Sequence, residues 1–173
     1  MRGVDFMEEI LVDENGYQQY LKEIEKLNKL SLNNLTVGSE AYKDAIGDGW
    51  HDNFAFEQAI IEDRNIAVKI SNLLAKKNFI KVIKIQNLNS EIINIGDVLI
   101  LEIKYADDDI EKVKIKLTGN YCPITNLDNE IQEITLNSPL GKAIYQKNIN
   151  DKDINYMLQN KKIKIKVIEK VKD

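Results

Sequence analysis

Ile66–Gln86, IAVKISNLLAKKNFIKVIKIQ, contains the change of period that decides the fold. Up to Lys77 the apolar side chains recur every three or four residues, as on one face of an α-helix. From Phe79 to Gln86 (FIKVIKIQ) the period is close to two and β-branched residues dominate, which is typical of a strand. The pattern therefore predicts an α+β fold, with a helical domain over residues 1–77 and a β-rich domain over residues 78–173.

Two apolar stripes with helical spacing precede this boundary. The first consists of Tyr17, Tyr20, Leu21, Ile24 and Leu27. The second consists of Phe56, Ala59, Ile60, Ile66, Ala67, Ile70, Leu73 and Leu74. Two such stripes, joined by a short segment with glycines, bury each other in an antiparallel pair, so we predict a two-helix coiled-coil hairpin. Asp63 falls inside the second stripe, and we expect it to face a polar partner or to tilt outward.

The start and the middle of the first helix carry separate signals. Asp13 or Asn15 is suited to cap its start. The segment Ser31–Gly38 (SLNNLTVG) contains poor helix formers and interrupts the apolar stripe. We therefore expect a kink or a short break there, followed by a renewed helix that Ser39 caps.

Residues 78–173 have the pattern of an antiparallel sheet with one short helix. Besides Phe79–Gln86, the predicted strands are Asp97–Tyr105, Ile110–Leu117, Ile131–Leu136, Ile154–Leu158 and Lys162–Val171. For the helix, Ser138 is a good N-cap and Pro139 fits the first helical position, with the helix continuing through Leu140–Gln146.

Charge is distributed unevenly along a chain whose formal net charge is −4. Carboxylates dominate from Glu40 to Asp63, and lysines dominate from Lys161 onward. An acidic chain is not expected to coat nucleic acid, although separate acidic and basic regions suit an interaction protein. In the last predicted strand, lysines alternate with apolar residues at Lys162, Lys164 and Lys166. This alternation favours an outward-facing strand that resists edge aggregation over a dedicated binding stripe.

Composition indicates a globular protein of the cytoplasm. Apolar residues make up 43% and charged residues 30% of the chain. Its apolar stretches stay short of the ~18 residues that a membrane span requires, and its N-terminus lacks the apolar core of a signal peptide. Cys122 is the only cysteine, so no intrachain disulfide can form. We expect a cytoplasmic monomer with no membrane partner.

The segment between the two helical stripes, residues 47–53 (GDGWHDN), forms the predicted tip of the hairpin. Asp48 and Asp52 can approach each other at a turn, and paired carboxylates hold Mg²⁺ well only when other oxygen ligands complete its octahedron. The pair therefore predicts half of a magnesium site whose other ligands come from a partner, and the alternative is two ordinary turn-forming aspartates. His51 fits a solvated loop, and the alternative is a role as a metal ligand or in proton transfer. Trp50 fits packing on the apolar seam of the hairpin or contact with a partner.

The chain resembles the Gre family of bacterial transcript cleavage and elongation factors over nearly its whole length. At the tip, GDGWHDNFAF (residues 47–56) is similar to the family pattern Gly-Asp-x-x-Glu-Asn-Ala-x-Tyr. Further on, ITLNSPLGKA (residues 134–143) is similar to the family segment NSP(I/L)G(R/K)A. By this resemblance, residues 78–173 form an FKBP-like domain that docks on the polymerase through Asn137, Ser138, Pro139, Leu140, Gly141 and Lys142.

The same resemblance implies a function. The hairpin would enter the secondary channel of bacterial RNA polymerase and bring its tip to the nascent RNA 3′ end. There Asp48 and Asp52, followed by Asn53, would help to hold a second Mg²⁺ shared with the polymerase, and stimulate cleavage of backtracked RNA. The polymerase would then be the enzyme, and the chain alone would bind no cofactor. Asp48 and Asp52 are four residues apart, against three in the family, so inhibition of the polymerase without cleavage is the alternative.

Prolyl isomerase activity is a third possibility for an FKBP-like domain. Such an activity needs an aromatic cage, and residues 80–173 contain no Phe and no Trp. We therefore do not expect it.

Overall fold

A computed structural model describes residues 8–44, 54–84, 91–105, 108–123, 130–152 and 154–171. The fold is α+β, as the change of period predicts: two long helices, and a β-sheet with one short helix. The chain divides into two units. The β unit combines the described residues up to Gln19 with those from Ile80 onward, and the helical unit is Tyr20–Phe79. Among the described helices, none is long and apolar enough to cross a membrane.

The two long helices are α1, Glu14–Asp44, and α2, Phe54–Lys76, which a 3-10 turn follows. The expectation that Asp13 caps α1 is confirmed. Its Oδ1 accepts a 2.7 Å hydrogen bond from the backbone N–H of Gly16, one of the amides that have no partner within the helix.

The predicted kink or break at Ser31–Gly38 is wrong, because α1 is a continuous helix through this segment and through Ser39. Ser31 Oγ donates a 2.6 Å hydrogen bond to Asp63 Oδ1 on α2. Packing against a second helix outweighs the low helix propensity of these residues. The same bond gives Asp63 the polar partner that its place in the apolar stripe requires.

The helical unit is an antiparallel pair. The hydroxyl of Tyr20, early in α1, donates a 2.9 Å hydrogen bond to the backbone carbonyl of Leu73, late in α2. Near the other end, a Cβ added to Gly38 would lie 3.4 Å from the Cβ of Ala59. The described buried apolar side chains of this unit all belong to the predicted stripes: Tyr20, Leu27, Ala59 and Ile66.

The described strands of the β unit form a small ladder and a larger sheet. They are β1 (Ile10–Val12), β2 (Ile80–Val82), β3 (Val98–Lys104), β4 (Ile110–Thr118), β5 (Gln132–Thr135), β6 (Ile154–Leu158) and β7 (Lys161–Val171). β1 pairs in parallel with β2. The other five form one sheet in the order β5-β4-β3-β7-β6, in which the β4–β5 pair is parallel and the remaining pairs are antiparallel.

The sheet is therefore mixed, whereas the sequence pattern predicts an antiparallel sheet. Residues 119–131 separate β4 from β5, a connection of the length that lets the chain cross back and run in the same direction.

The predicted strand Phe79–Gln86 is reduced to Ile80–Val82 within its described part. The sequence gives no signal for β1, because three residues are too few to show a period. This strand places the described residues before Tyr20 in the β unit, whereas the predicted division at residue 77 assigns them to the hairpin.

One face of the larger sheet is covered by the short helix α3, Pro139–Ile144, and carries the core. The buried members of this core include Leu99, Leu101, Ile103, Ile115, Leu117, Ile144, Ile163 and Ile165. They alternate along β3, β4 and β7 with side chains that point to the opposite face of the sheet.

Candidate functional site

The predicted catalytic and metal-binding residues, Asp48, Asp52 and Asn53, lie outside the described residues, as do Trp50 and His51. In the chain they stand between the end of α1 and the start of α2. Carboxylate and amide oxygens are ligands that Mg²⁺ accepts, so the donor set fits this ion. The assignment of a shared magnesium site stays a prediction. Within the described parts of the chain, no group of three or more His, Cys, Asp or Glu is placed to hold a metal ion.

The described part of the helical unit has an apolar groove in the half that leads to the tip segment. A cavity of about 430 Å³ lies between α1 and α2, lined by Leu35, Phe56 and Ile60 together with polar residues such as Asp63 and Arg64. Leu35 is 57% exposed, in spite of its size. Large exposed apolar side chains grouped in this way mark a surface suited to contacts with another molecule.

The predicted docking segment begins with Asn137, whose side chain holds the N-terminal strand. Asn137 Oδ1 accepts a 2.9 Å hydrogen bond from the backbone N–H of Leu11, and Asn137 Nδ2 donates one of 2.9 Å to the carbonyl of the same residue. The side chain of Asn137 thus makes the two backbone hydrogen bonds that a neighbouring strand would otherwise make with Leu11 of β1. Asn137 therefore has a structural role that is independent of any partner.

Ser138 and Gly141 also have structural roles, at the start of α3. Ser138 Oγ accepts a 3.0 Å hydrogen bond from the backbone N–H of Gly141, as an N-cap does, and donates one of 2.7 Å to the carbonyl of Thr135. A Cβ on Gly141 would lie 2.0 Å from that same carbonyl oxygen, so only glycine fits there. The predicted cap and helix start are confirmed, and α3 ends at Ile144, two residues before the predicted end.

The remaining docking candidates are accessible to a partner. Pro139 and Lys142 are exposed, and Leu140 is half-buried against the core. Lys142 Nζ forms an ion pair with Glu8, whose hydrogen bond and charge lower the pKa of that carboxyl group. Solvent screens this pair, because both side chains are well exposed. The structure thus brings all six candidates together around the start of α3, and three of them face outward at least in part.

The interpretation of β7 as an edge strand is wrong. β7 lies inside the sheet, between β3 and β6. Its lysines do point outward, since Lys162, Lys164 and Lys166 are exposed while the alternating Ile163 and Ile165 are each only 2% exposed. Protection of a sheet edge therefore does not explain them.

Sequence reasoning also missed three further lysines on β4, which lies on the other side of β3 from β7: Lys112, Lys114 and Lys116. Their alternation is visible in the sequence, but alternation alone does not show that they share a face with the lysines of β7. The pairing of both strands with β3 shows this.

In comparisons with known proteins, no family model matches the chain. No curated protein matches it either. Among solved structures, the chain is similar to GreA factor homolog 1 (Gfh1) of Thermus thermophilus, with 18% identity over 95% of this chain and 99% of that one, and a TM-score of 0.39. A second structure, of the transcription factor Gfh1, has 18% identity over 93% and 98% of the two chains and a TM-score of 0.41. Gfh1 of Thermus aquaticus has 19% identity over 95% and 99%, with a TM-score of 0.38. Similarity at this level does not establish membership of a family.

Proposed function

We propose that this chain is a transcription factor that binds bacterial RNA polymerase and stimulates the polymerase's own cleavage of backtracked RNA. The tip residues Asp48 and Asp52 enter the secondary channel and reach the nascent RNA 3′ end. One observation supports this most directly. The segment that holds Asp48 and Asp52, residues 47–53, connects two long antiparallel helices, as a probe that delivers its tip into a channel requires.

The helix pair gives the tip reach and support. α2 has 23 residues and α1 has 31 residues, which correspond to about 35 Å and about 46 Å at 1.5 Å per residue. The hydrogen bonds from Tyr20 to Leu73 and from Ser31 to Asp63 tie the helices together at two levels. Such support matters because catalytic groups act only when they are held to within about 0.5 Å of their working positions.

The two tip aspartates contribute ligands and no reaction of their own. A second Mg²⁺, when bound between them and the polymerase, supplies the activation of water that phosphodiester hydrolysis needs. Asp48 and Asp52 provide anionic oxygens for it, and Asn53 provides an amide that can orient either carboxylate or the RNA. In this proposal the protein is not itself an enzyme.

The β unit supplies the anchor on the polymerase. Asn137, Ser138 and Gly141 fix the start of α3, so that the outward side chains of Pro139 and Lys142 are presented from a rigid position. The resemblance to the Gre segment NSP(I/L)G(R/K)A supports the same assignment. The apolar side chains that flank the tip segment, such as Leu35 and Phe56, are suited to contact the channel wall.

A cleavage assay on a stalled, backtracked elongation complex tests the proposal. Purified protein is expected to release short 3′ RNA fragments, and the variant with Asp48→Asn and Asp52→Asn is expected to lose at least tenfold in cleavage rate while it still binds the polymerase. Glu57→Gln, an exposed carboxylate in the first turn of α2, is the matched control and should cleave normally. Unchanged cleavage by the double variant would contradict the role of the tip.

Inhibition without cleavage is the second candidate function, and the spacing of the tip aspartates favours it. An extra residue between two residues that carry carboxylates rotates one side chain relative to the other. The two carboxylates then no longer point to the same position. The second function would be supported if the protein binds the polymerase and slows nucleotide addition but leaves backtracked RNA intact. The slowing should then persist in the variant with both aspartates replaced.

A further inference from the structure

The face of the larger sheet opposite the core carries lysines on two strands that flank β3, and five of these six lysines are exposed while Lys114 is half-buried. Lys112, Lys114 and Lys116 of β4 alternate with Ile115 and Leu117, which are 1% and 0% exposed on the core side. On β7, Lys162, Lys164 and Lys166 alternate with buried isoleucines in the same way. We name these six residues the lysine band.

The strand register arranges the band as a diagonal across the sheet. Lys116 and Lys114 pair with Val98 and Ile100 at one end of β3. Lys112 and Lys166 both pair with Glu102 from opposite sides. Beyond them, Lys164 pairs with Lys104, and Lys162 lies one step further along β7. At about 3.3 Å per residue along a strand, the band extends for roughly 25 Å and is only three strands wide.

Carboxylates on the same face are few and mostly lie at its border. Glu102 stands inside the band, while Glu133 and Glu169 pair with residues at one end of it. Lys104 pairs with Asp108 at 2.7 Å, and the nearby Lys164 adds to the positive field that lowers the pKa of that aspartate. Within the described parts of the chain, none of the six band lysines has an ion-pair partner.

We infer that the lysine band binds the phosphodiester backbone of a nucleic acid, independently of base sequence. A long, narrow row of positive charge is complementary to a linear polyanion. Lysines act as flexible point charges toward phosphate, and the band contains no arginine or aromatic side chain that would read or stack on bases. Interfaces between proteins are depleted in lysine and rely on aromatic or apolar anchors, so an acidic protein fits the band less well.

This inference goes beyond the proposed function and does not depend on it. The band belongs to residues other than the tip and the docking segment. A chain that does not stimulate RNA cleavage by the polymerase could still bind nucleic acid through the band, and a chain that stimulates cleavage need not bind nucleic acid through it. The acidic net charge of the chain limits such binding to this face and makes it sensitive to salt.

Fluorescence anisotropy of the full chain with a labelled mixed-sequence duplex DNA, and with a labelled single-stranded RNA, tests the inference. The band variant combines Lys112→Gln, Lys164→Gln and Lys166→Gln. Its control removes the same charge at exposed lysines elsewhere: Lys69→Gln, Lys147→Gln and Lys152→Gln. Circular dichroism verifies that both variants are folded.

The wild-type protein should bind at least one of the two nucleic acids at about 50 mM salt and lose affinity steeply toward about 200 mM. The band variant should bind about tenfold or more weakly, with a slope of log affinity against log salt reduced by about 2 to 3. The control should stay within about twofold of wild type. Glu102→Gln, which removes the carboxylate inside the band, should tighten binding.

Three results would overturn the inference. The first is the absence of binding to either nucleic acid at low salt. The second is an equal loss of affinity in the band variant and its control. The third is that poly-glutamate displaces the labelled nucleic acid as well as unlabelled duplex does at equal charge. This result would assign the band to acidic polypeptides.

Discussion

Asn137 bonds to both backbone groups of Leu11, a residue 126 positions away in the chain. The side chain of its neighbour Ser138 bonds to Thr135 and Gly141, which are three positions away. The N-cap role of Ser138 is therefore predictable from the local sequence, whereas that of Asn137 is not. The resemblance to a docking segment identified both residues, but for Asn137 it did not reveal that the side chain holds β1 in place.

Two helical glycines predict opposite responses to the same substitution. A Cβ on Gly141 would meet the Thr135 carbonyl oxygen at 2.0 Å, whereas a Cβ on Gly38 would meet Ala59 at 3.4 Å, an ordinary contact. We expect Gly141→Ala to lower the free energy of unfolding by about 2 kcal/mol or more. Gly38→Ala should raise it by up to about 1 kcal/mol, because alanine favours a helix. Urea denaturation measures both, and a stabilising Gly141→Ala would contradict the packing described for α3.

At the scale of elements, α1 shows where sequence propensity is insufficient. The segment Ser31–Gly38 has the composition of a break, yet it is helical, because packing against α2, which includes the bond from Ser31 to Asp63, outweighs its low helix propensity. The start of α1 and the extents of β6 and β7 follow closely from local patterns. The parallel pairing of β5 and the inner position of β7 do not, since both depend on contacts between distant parts of the chain.

If the bond from Ser31 to Asp63 helps to keep α1 continuous, Ser31→Ala should lower the stability of the protein. Without the hydroxyl, the half-buried carboxylate of Asp63 loses its partner, which should cost about 1 to 2 kcal/mol of stability. Amides in residues 31–38 should then exchange hydrogen faster than in the wild type. Thr36→Ala is the control, because this exposed hydroxyl donates only to the Leu32 carbonyl of its own helix. Equal exchange in both variants would show that the bond to α2 does not maintain the helix.

A hydrogen bond at the connection between β3 and β4 is expected to make the stability of the protein depend on pH. The hydroxyl of Tyr105 donates a 2.8 Å hydrogen bond to Glu111 Oε2. This bond, together with burial and the charge of Glu111, raises the pKa of Tyr105 from 10.0 to about 12. Because the pKa is higher in the folded protein, the stability that the bond contributes is complete below about pH 10 and is lost as the pH rises through about 12.

The ultraviolet absorbance of tyrosinate follows this titration. One tyrosine should ionise near pH 12 in the wild type, and this component should be missing in Tyr105→Phe. Glu111→Gln should move it toward the ordinary value of 10.0. A titration of Glu111→Gln that coincides with that of the wild type would contradict the role of the carboxylate.

At the scale of the whole molecule, the sequence predicts two units and their fold class, because the change from a helical to a strand period is a local signal. It does not show that β1 joins the β unit, nor that lysines from two strands meet on one sheet face, since both depend on register. The chemistry of the tip is read from its residue types, and its function is a proposal about a complex with the polymerase.

The most direct test of the central claim is a proximity measurement at the tip. Trp50→Cys in a Cys122→Ser background places a single photo-crosslinker beside Asp48 and Asp52 without changing either of them. The control is the native exposed Cys122, labelled in the wild-type protein. On a backtracked elongation complex, the label at residue 50 should crosslink to polymerase residues around the catalytic Mg²⁺ or to the RNA 3′ end, and the label at Cys122 should not. Crosslinks from residue 50 only to the outer surface of the polymerase, or none at all, would contradict the claim that this tip enters the channel.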